Sequence, residues 1–399
     1  MPDRRPVGFG RRDGDGGGAV GGTAIPAGAT RLDDDTMARL LPDRSVRGHK
    51  GTFGKLLVVA GSLDYAGAAL LVCRAAGRAG AGLVTLAVPE SLQPLFASKV
   101  VEATTMALPE DDVEEVDPEP AVAKVLDNEH DALVIGPGLR PSLAIADLLR
   151  LLLTVPEEPV SPPAVLDAEA LRTLASVEGW WTGVTRPCVL TPHAGEFARL
   201  RAGSGHDPAE DGDLNADDGA RARAASAAAV EWRQVVVLKG ANTVIAAPDG
   251  AVAIAPFENP AMASGGTGDV LAGTIGALLA QGLAPYDAAR LGVYLHGLAG
   301  EAVRERLGDA GLLASDLPEA VPIGRKRLAA RAERLKAGRR LGFGARHGSG
   351  GSAPAGGGSP APGAATADPG EATADPGEGS SASGEATADP AADDPGAGG

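Results

Sequence analysis

Short apolar runs alternate with helical segments along most of the chain, and this alternation most constrains the fold. Ala132–Ile135 and Val235–Leu238 are continuous apolar runs bounded by polar or glycine residues, as is typical of strands covered on both faces of a parallel sheet. Residues 56–60 form a similar run, and a helical pattern follows it to about Ala79. Strands and helices in alternation build βαβ units, so we expect a doubly wound α/β sheet with helices on both faces.

The other elements extend the same alternation. We expect strands at 83–88, 164–166 and 188–190 and a hairpin of 244–246 with 252–255. We also expect helices at 142–153 and 215–231, the second capped by Asn215. From the glycine-rich loop at 265–269 onward, the pattern is mainly helical as far as Pro322.

In a sheet of this kind, ligands bind beyond the carboxyl ends of the strands. Because parallel strands end at one edge, residues that follow them are expected to lie close together. The residues at these ends are Gly61 and Ser62, Gly136 to Gly138, Asp167, His193, Lys239 and the loop of residues 265–269.

The loop of residues 265–269 reads Gly-Gly-Thr-Gly-Asp and runs directly into an apolar helix. Glycines let the backbone approach a ligand, and the first N–H groups of the helix can hold an anion. Asp269 would repel phosphate, so we interpret it as a base that takes a proton from a hydroxyl. A carboxylate in a first helical turn is also stabilised by the helix dipole, and the loop alone does not decide between these roles. The residues expected to hold a phosphoryl group are Gly265, Gly266, Thr267 and Gly268.

Two further side chains at the strand ends have more than one interpretation. His193 either caps the helix that starts near Gly195 or contacts a ligand, and its place at the presumed cleft favours the ligand. Lys239 opens the sequence Lys-Gly-Ala-Asn-Thr and is either a solvated strand end or, with the glycine-rich loop, part of a grip on nucleotide phosphates. The chain has the spacing of neither a Walker A loop nor a Rossmann fingerprint.

Charge and cysteine content exclude some classes of function. The formal net charge is −16, and the acidic excess lies in residues 1–324, which argues against a nucleic-acid partner. Cys73 and Cys188 lie in apolar settings far apart, so we expect two buried, reduced thiols. We see neither an apolar signal segment nor an uninterrupted apolar run of about eighteen residues, and we therefore expect a cytoplasmic protein without a membrane partner.

Composition divides the chain into four parts. Residues 1–36 are rich in Gly, Arg and Asp and are expected to be a disordered arm, and residues 348–399 are expected to be a disordered acidic tail. Between them we expect a folded domain at 37–323 and a basic terminal helix at 324–347. That helix is either solvated, which is favoured, or laid against the tail. We expect residues 36–328 to keep full stability and activity, since neither tail can bury an apolar face.

Seven motifs occur in order and together resemble a known family. They read HKGTFGKLLVVAGS, YAGAALL, VIGPGL, VLDAEAL, VLTPHAGE, VVLKGANT and NPAMASGGTGDVLAG, all within residues 37–323. The resemblance is to the ADP-dependent NAD(P)H-hydrate dehydratases, the carboxy-terminal half of the YjeF-type repair proteins. It implies a ribokinase-like fold and a hydro-lyase that restores NADH or NADPH from the hydrated cofactor. ADP or ATP is consumed in the process, giving AMP or ADP plus phosphate.

The resemblance also implies roles for individual residues. In the family, the positions of Ala68, Gly138, His193 and Asp269 contact the hydrated dinucleotide. Mg²⁺ is implied as a cofactor, although its ligands cannot be picked out, and a homo-oligomer, a tetramer, is implied as well. VLDAEAL and Ala194 depart slightly from the family pattern without touching a proposed catalytic group. The positions implied to hold the adenine nucleotide are Lys239, Gly240, Ala241, Asn242, Thr243 and Gly268.

Full-length bacterial members of the family carry an epimerase half ahead of this domain, and residues 1–36 are too few to form one. We therefore expect action on the S epimer alone and a separate epimerase as partner. Two alternatives stay open. A ribokinase-like small-molecule kinase would stop after phosphoryl transfer, and HKGTFGK with TPHAGE argues against it. A nucleotide-sensing module would lack turnover, and the presence of Asp269 argues against that.

Overall fold

The computed structural model describes residues 28–155 and 161–345. This part of the chain contains a mostly parallel sheet with helices on both faces. Its strands are β1 (Thr30–Arg31), β2 (Lys55–Val59), β3 (Leu83–Pro89), β4 (Thr104–Leu108), β5 (Glu110–Asp112), β6 (Glu115–Val116), β7 (Ala132–Ile135), β8 (Ala164–Leu166), β9 (Cys188–Leu190), β10 (Val235–Leu238), β11 (Val244–Ala246) and β12 (Val252–Ile254). Its helices are α1 (Asp34–Leu40), α2 (Ala66–Ala79), α3 (Gln93–Ala97), α4 (Pro118–Asp127), α5 (Leu143–Leu153), α6 (Glu169–Ala175), α7 (Ala194–Gly203), α8 (Asp218–Trp232), α9 (Thr267–Ala280), α10 (Pro285–Leu307) and α11 (Leu317–Ala345).

Ten of the described strands form one sheet in the order β1-β12-β11-β10-β9-β8-β7-β2-β3-β4, and β5 and β6 form a separate hairpin. Neighbouring strands are parallel from β10 across to β4. The expected hairpin is present, because β11 pairs antiparallel with both β10 and β12. The doubly wound α/β sheet predicted from the sequence is confirmed, and the carboxyl ends of β7 to β10 lie side by side at one edge.

The central strands contribute side chains to two apolar cores, one on each face of the sheet, because successive side chains of a strand point to opposite faces. On β2, Leu56 and Val58 join a core with α2, α9, α10 and α11, whereas Leu57 and Val59 join a core with α4 to α8. Helix α9 is buried from Val270 to its end. The glycine-rich loop is therefore attached to one of the most rigidly enclosed helices of the fold.

The last part of the expected disordered arm, residues 28–36, is folded. Thr30–Arg31 pairs with β12, and Asp34–Leu40 forms a helix whose amino end is capped by Asp33. Leu32 and Met37 are buried in the core, and burial of these apolar side chains orders the segment ahead of residue 37. The rest of the expected arm, residues 1–27, lies outside the described residues.

The basic segment at 324–347 is not a separate element. Helix α11 runs from Leu317 to Ala345 across the expected boundary, with Pro322 inside it. Leu328 is fully buried and ties the helix to the core. Although α11 is long, neither it nor any other helix of the described residues is long and apolar enough to cross a membrane. The expected tail at 348–399 lies outside the described residues.

The first and last described helices contact each other. Arg327 Nη2 lies 2.8 Å from Asp34 Oδ2, and Arg331 forms a second ion pair with Asp35. A chain cut to residues 36–328 would lose both pairs and the strand β1. We therefore correct our expectation for that fragment, which should be less stable than the whole chain.

Several elements between β3 and β7 were not predicted from the sequence. Strand β4 lies at the edge of the sheet and is largely half-exposed, so it lacks a continuous apolar run. Helix α4 begins Pro-Glu-Pro, which reads as a loop. The cap of α8 was also assigned wrongly: the Asp217 carboxylate, not Asn215, accepts the N–H groups of Gly219 and Ala220.

The two cysteines are free and buried, as the sequence predicted. Burial raises the pKa of Cys73 and of Cys188 to about 12. Both thiols therefore stay protonated and unreactive at neutral pH.

Candidate active site

The carboxyl ends of β8, β9 and β10 bring three residues from distant parts of the sequence together. Asp167 follows β8, His193 comes shortly after β9, and Lys239 follows β10. Backbone hydrogen bonds join these ends: the Asp167 N–H donates to the Ile135 carbonyl at 3.2 Å, and the Lys239 N–H donates to the Pro192 carbonyl at 2.9 Å. The sheet edge thus gathers these residues as the sequence predicted.

Lys239 is a half-buried cation between two carboxylates, with 21 % of its side chain exposed. Its Nζ lies 2.8 Å from Asp167 Oδ1 and 3.8 Å from Glu196 Oε2. Burial acts to lower the pKa of this ammonium group, but the two carboxylates outweigh burial and the net shift is upward. Lys239 is therefore charged at neutral pH and fixed in position, which rules out a solvated strand end.

Asp269 lies in the first turn of α9, beside the same cluster. At the preceding Gly268, a β-carbon would lie 3.3 Å from Lys239 Nζ and 3.6 Å from Asp167 Oδ2. Burial raises the pKa of Asp269 to about 7; Asp167 and Glu196 add to the increase, and Lys239 opposes it. A carboxylate that served only to stabilise the helix end would have a lowered pKa. Asp269 is instead suited to exchange a proton near neutral pH.

The glycine-rich loop is held in shape from behind. Gly266 has a φ of +88°, and the Thr267 hydroxyl donates to two loop carbonyls at 3.1 and 3.0 Å. His296 Nε2 lies 2.9 Å from the Thr267 carbonyl, and burial lowers the pKa of this imidazole to about 4. Neutral His296 therefore donates its Nε2 proton to the loop. The N–H groups of the first turn of α9, including that of Gly268, have no helical acceptor and can face an anion.

A cavity of about 590 Å³ lies beside this loop. Such a volume accommodates a small-molecule ligand. Five of the six residues expected to hold an adenine nucleotide line it, namely Lys239, Gly240, Ala241, Thr243 and Gly268. The rest of the lining comes from Ala255, Phe257, Glu258, Asn259, Pro260, Met262, Ala263, Thr267, Leu271, Val293, His296 and Gly297.

Asn242, the sixth expected nucleotide residue, is absent from the cavity lining. Its Nδ2 donates to Asp218 Oδ2 at 2.9 Å and to Glu258 Oε1 at 2.5 Å. The residue has a φ of +52°, in the left-handed region that asparagine adopts more readily than most side chains. Asn242 therefore shapes the loop from behind.

His193 has the capping role that the sequence analysis placed second. Its Nδ1 accepts the N–H of Gly195 at 3.0 Å and that of Glu196 at 3.4 Å, while Glu196 Oε2 accepts the His193 N–H at 3.0 Å. This reciprocal pair satisfies backbone donors at the start of α7. The imidazole is more than half exposed at the sheet edge, with 56 % of its side chain accessible. Contact between His193 and a ligand stays a prediction.

Ala68 and Gly138, both expected to contact the hydrated dinucleotide, lie against each other. Gly138 has a φ of +70°, and a β-carbon there would lie 2.6 Å from the Tyr65 carbonyl oxygen and 3.0 Å from Ala68 Cβ. Only glycine fits this close approach. One turn further along α2, Leu71 Cδ1 lies 2.7 Å from the position of a β-carbon at Gly266. The small residues at the start of α2 thus neighbour the glycine-rich loop.

Asp269 lies near both groups of residues. Its Oδ2 lies 3.6 Å from the position of a β-carbon at Gly266, which Leu71 of α2 approaches, and Lys239 is close enough to lower the pKa of Asp269. Gly138 follows β7 and Lys239 follows β10, three positions away in the sheet. By the roles expected from the sequence, we call Ala68 and Gly138 the hydrate side of the site, and Lys239 with the cavity the nucleotide side.

The residues of the site do not build a metal centre. Among the described residues, no three His, Cys, Asp or Glu side chains are grouped so that they could hold a metal ion. Asp167 and Glu196 are already engaged by Lys239. A preformed Mg²⁺ site does not fit this arrangement.

Several site residues were given no role by the sequence analysis. Asp167 was noted only as a strand end, although its position after β8 was a signal. Glu196 could have been found as the third residue after His193, in the spacing of a capping box. His296 lies within α10 with no local signal. It reaches the site only through the packing of α10 against α9.

Asp269, a carboxyl suited to exchange a proton, lies beside a glycine-rich loop, a charged lysine and a cavity. This arrangement is typical of a nucleotide-dependent enzyme on an α/β scaffold. Solved structures place that scaffold among the ribokinase-like folds. A ribokinase-like protein from Enterococcus faecalis, 24% identical in sequence, has a TM-score of 0.62 and covers 76% of this chain and 97% of its own.

The chain belongs to the NAD(P)H-hydrate dehydratase family, whose pattern matches residues 56–322. The bifunctional NAD(P)H-hydrate repair enzyme Nnr of Moorella thermoacetica is 45% identical over 284 residues, which cover 71% of this chain and 51% of that protein. The ADP-dependent (S)-NAD(P)H-hydrate dehydratase of Bacillus subtilis is 36% identical over 291 residues, which cover 72% of this chain and 95% of the relative. The chain thus spans about half the length of the bifunctional relatives and nearly all of the single-domain one.

A solved structure agrees with this membership. The ADP/ATP-dependent NAD(P)H-hydrate dehydratase of Bacillus subtilis, co-crystallised with ATP and Mg²⁺, has a TM-score of 0.62 and 32% sequence identity. The match covers 76% of this chain and 99% of the solved one.

Proposed function

We propose that this chain dehydrates the S epimer of hydrated NADH and NADPH, using ADP or ATP. The observation that carries the proposal is Asp269, a carboxyl with a pKa of about 7 at the start of α9, beside the nucleotide cavity. Family membership supports the same reaction, since the Bacillus subtilis relative is named for it.

The reaction solves a leaving-group problem. Hydroxide on the reduced nicotinamide ring leaves poorly at neutral pH. Asp269 takes the proton of the C6 hydroxyl while that oxygen attacks the terminal phosphoryl group, so that AMP or ADP departs and a C6 phosphate ester forms. The lone pair of the ring nitrogen then expels phosphate by breaking the C6–O bond. Loss of a proton from C5 restores the dihydronicotinamide.

The surroundings of Asp269 stabilise charge during the transfer. The N–H groups of Gly266 and Gly268 face the transferring phosphoryl group, and Lys239 neutralises the nucleotide phosphates beside it. Because Asp167 holds the ammonium group at 2.8 Å, Lys239 needs little reorganisation when the nucleotide binds.

Mg²⁺ accompanies the nucleotide in this proposal, because the solved Bacillus subtilis relative was crystallised with ATP and Mg²⁺ together. The tetramer implied by the resemblance remains a prediction, as do the separate epimerase and the cytoplasmic location expected from the sequence.

To test this, the purified chain is incubated with the S hydrate of NADH in the presence of ADP, of ATP or of no nucleotide. We expect the absorbance of the reduced nicotinamide to return only with nucleotide, and phosphate to be released in equal amount. A kinase would consume nucleotide and leave a phosphorylated product without that absorbance. A binding module would consume nothing.

A mixture of both epimers tests the choice of the S form. One site that holds the ring in one pose presents one C6 hydroxyl to Asp269, and reaction depends on placement within about an ångström. We expect conversion to stall when the S form is exhausted and to resume when an epimerase is added. Equal consumption of both epimers would contradict the proposal.

A further inference from the structure

Arg221 is a buried cation that the mechanism above does not use. It lies in the first turn of α8, and only 2 % of its side chain is exposed. Burying a guanidinium is unfavourable unless its N–H groups are paired. A cation in the first turn also meets the positive end of the helix dipole. Both unfavourable terms call for a compensating set of contacts.

The partners of Arg221 belong to the nucleotide side. Its Nη2 donates to the Leu238 carbonyl at 3.1 Å, and its Nη1 donates to the Ala241 carbonyl. These two carbonyls bracket Lys239 and Gly240, so one guanidinium spans the turn from β10 into the cavity wall.

The loop of residues 238–241 packs directly against the guanidinium group of Arg221. A β-carbon at Gly240 would lie 2.8 Å from Arg221 Nη2 and 3.0 Å from Cζ, and the φ of this glycine is +154°. Lys239, Gly240 and Ala241 also line the cavity. Arg221 therefore holds two carbonyl oxygens that would repel phosphate oxygens if they turned toward the cavity, and it adds a positive charge beside the loop.

A second set of contacts extends this support. Asp218 accepts from Arg221 Nη1 at 3.3 Å through Oδ1 and from Asn242 Nδ2 at 2.9 Å through Oδ2. Asn242 also donates to Glu258 in the cavity wall at 2.5 Å. The start of α8 is thus tied to the loop and to the opposite wall through side chains that do not line the cavity, Arg221, Asp218 and Asn242.

We propose that Arg221 is a positioning residue that sets the affinity for the adenine nucleotide without touching it. The inference rests on the proposed function, since it takes the cavity to be the nucleotide site. Arg221 acts through the backbone of residues 238–241. Its removal should therefore weaken nucleotide binding and leave the hydrate side unchanged.

The chain provides a matched control. Arg186 is also fully buried, and its guanidinium donates to the carbonyls of Leu152 at 2.7 Å and Pro162 at 2.5 Å. Arg186 and Pro162 precede β9 and β8, at the edge of the sheet opposite the site. A substitution there removes the same kind of contact at a distance from the cavity.

The experiment measures the Kd for ADP by calorimetry, together with Tm and both KM values, for Arg221→Lys and Arg186→Lys. Lysine keeps the charge but cannot hold two carbonyls in a fork. For Arg221→Lys we expect the Kd and the KM for ADP to rise about tenfold, with the KM for the hydrate unchanged. For Arg186→Lys we expect a lower Tm and an unchanged Kd.

The possible outcomes distinguish the positioning role of Arg221 from the proposed function of the chain. If folded Arg221→Lys binds ADP within twofold of the parent chain, the positioning role is wrong and the proposed function stands. If the parent chain binds neither ADP nor ATP, the proposed function fails. Should Arg221→Lys not fold, Asp218→Asn tests the same network from a partly exposed position, and an unchanged Kd for ADP there would overturn the inference.

Discussion

The two sides of the active site differ in the kind of residue that forms them. The nucleotide side has a charged lysine paired at 2.8 Å with Asp167 and a cavity of about 590 Å³. The hydrate side has small residues, with Gly138 so close to Ala68 that a β-carbon would lie 3.0 Å from Ala68 Cβ. Under the proposed function, the nucleotide side recognises its ligand by charge and the hydrate side by shape. Substitutions that change charge and substitutions that change volume should affect different constants.

The largest effect should come from Asp269, which lies near both sides. Asp269→Asn keeps the shape and removes the base, so kcat should fall by about 10²–10⁴-fold. Binding of ADP, measured by calorimetry, should survive. A fall in kcat of less than about tenfold would return Asp269 to a helix-stabilising role.

Lys239→Met tests the nucleotide side. The variant keeps much of the length of the side chain but removes the cation, leaving Asp167 and Glu196 to repel the nucleotide phosphates. The Kd for ADP should rise about ten- to a hundredfold, the range expected for a lost charge-assisted hydrogen bond. The KM for the hydrate serves as the internal control and should change little. An equal rise in both constants would erase the distinction between the two sides.

The pH profile tests whether the base works at neutrality. The pKa of Asp269 is raised to about 7, so the carboxyl is protonated below that pH and cannot accept the hydroxyl proton. We expect kcat/KM to fall about tenfold for each pH unit below 7 and to level off above it. Since Lys239 lowers the pKa of Asp269, Lys239→Met should move this fall to higher pH. A profile that is flat from pH 6 to 8 would exclude Asp269 as the base.

Gly138→Ala tests the hydrate side and should have the smallest effect. The added carbon would lie 2.6 Å from the Tyr65 carbonyl, and overpacking of about 1 kcal/mol or more corresponds to about a fivefold rise in the KM for the hydrate. The Kd for ADP should not change. Gly67→Ala is the control, because a β-carbon at Gly67 meets nothing within 4 Å. A similar rise in both variants would show a general disturbance of α2.

The sequence predicted the parts of the fold that carry strong local signals. Buried strands such as Ala132–Ile135 and Val235–Leu238 appear as continuous apolar runs, and their bounds match the structure. Strand β1 is only two residues long. It exists because it pairs with β12 and packs Leu32 behind it, and no local pattern encodes that pairing.

The same limit applies to the site. The sequence predicted that Lys239, His193 and Asp269 would meet, since each follows a strand or begins a helix at one edge of the sheet. It did not predict the pairing of Lys239 with Asp167, which lies 72 residues away in the chain. Such contacts depend on which strands become neighbours. His296 of α10, which supports the glycine-rich loop, could not be predicted either, because its contact depends on how α10 packs against α9.

The contact between α1 and α11 has a consequence for handling the molecule. Because Asp34 pairs with Arg327 and Asp35 with Arg331, the start of α1 and the middle of α11 meet at one corner. A force that pulls these two helices apart would load the two ion pairs before it reached the central strands.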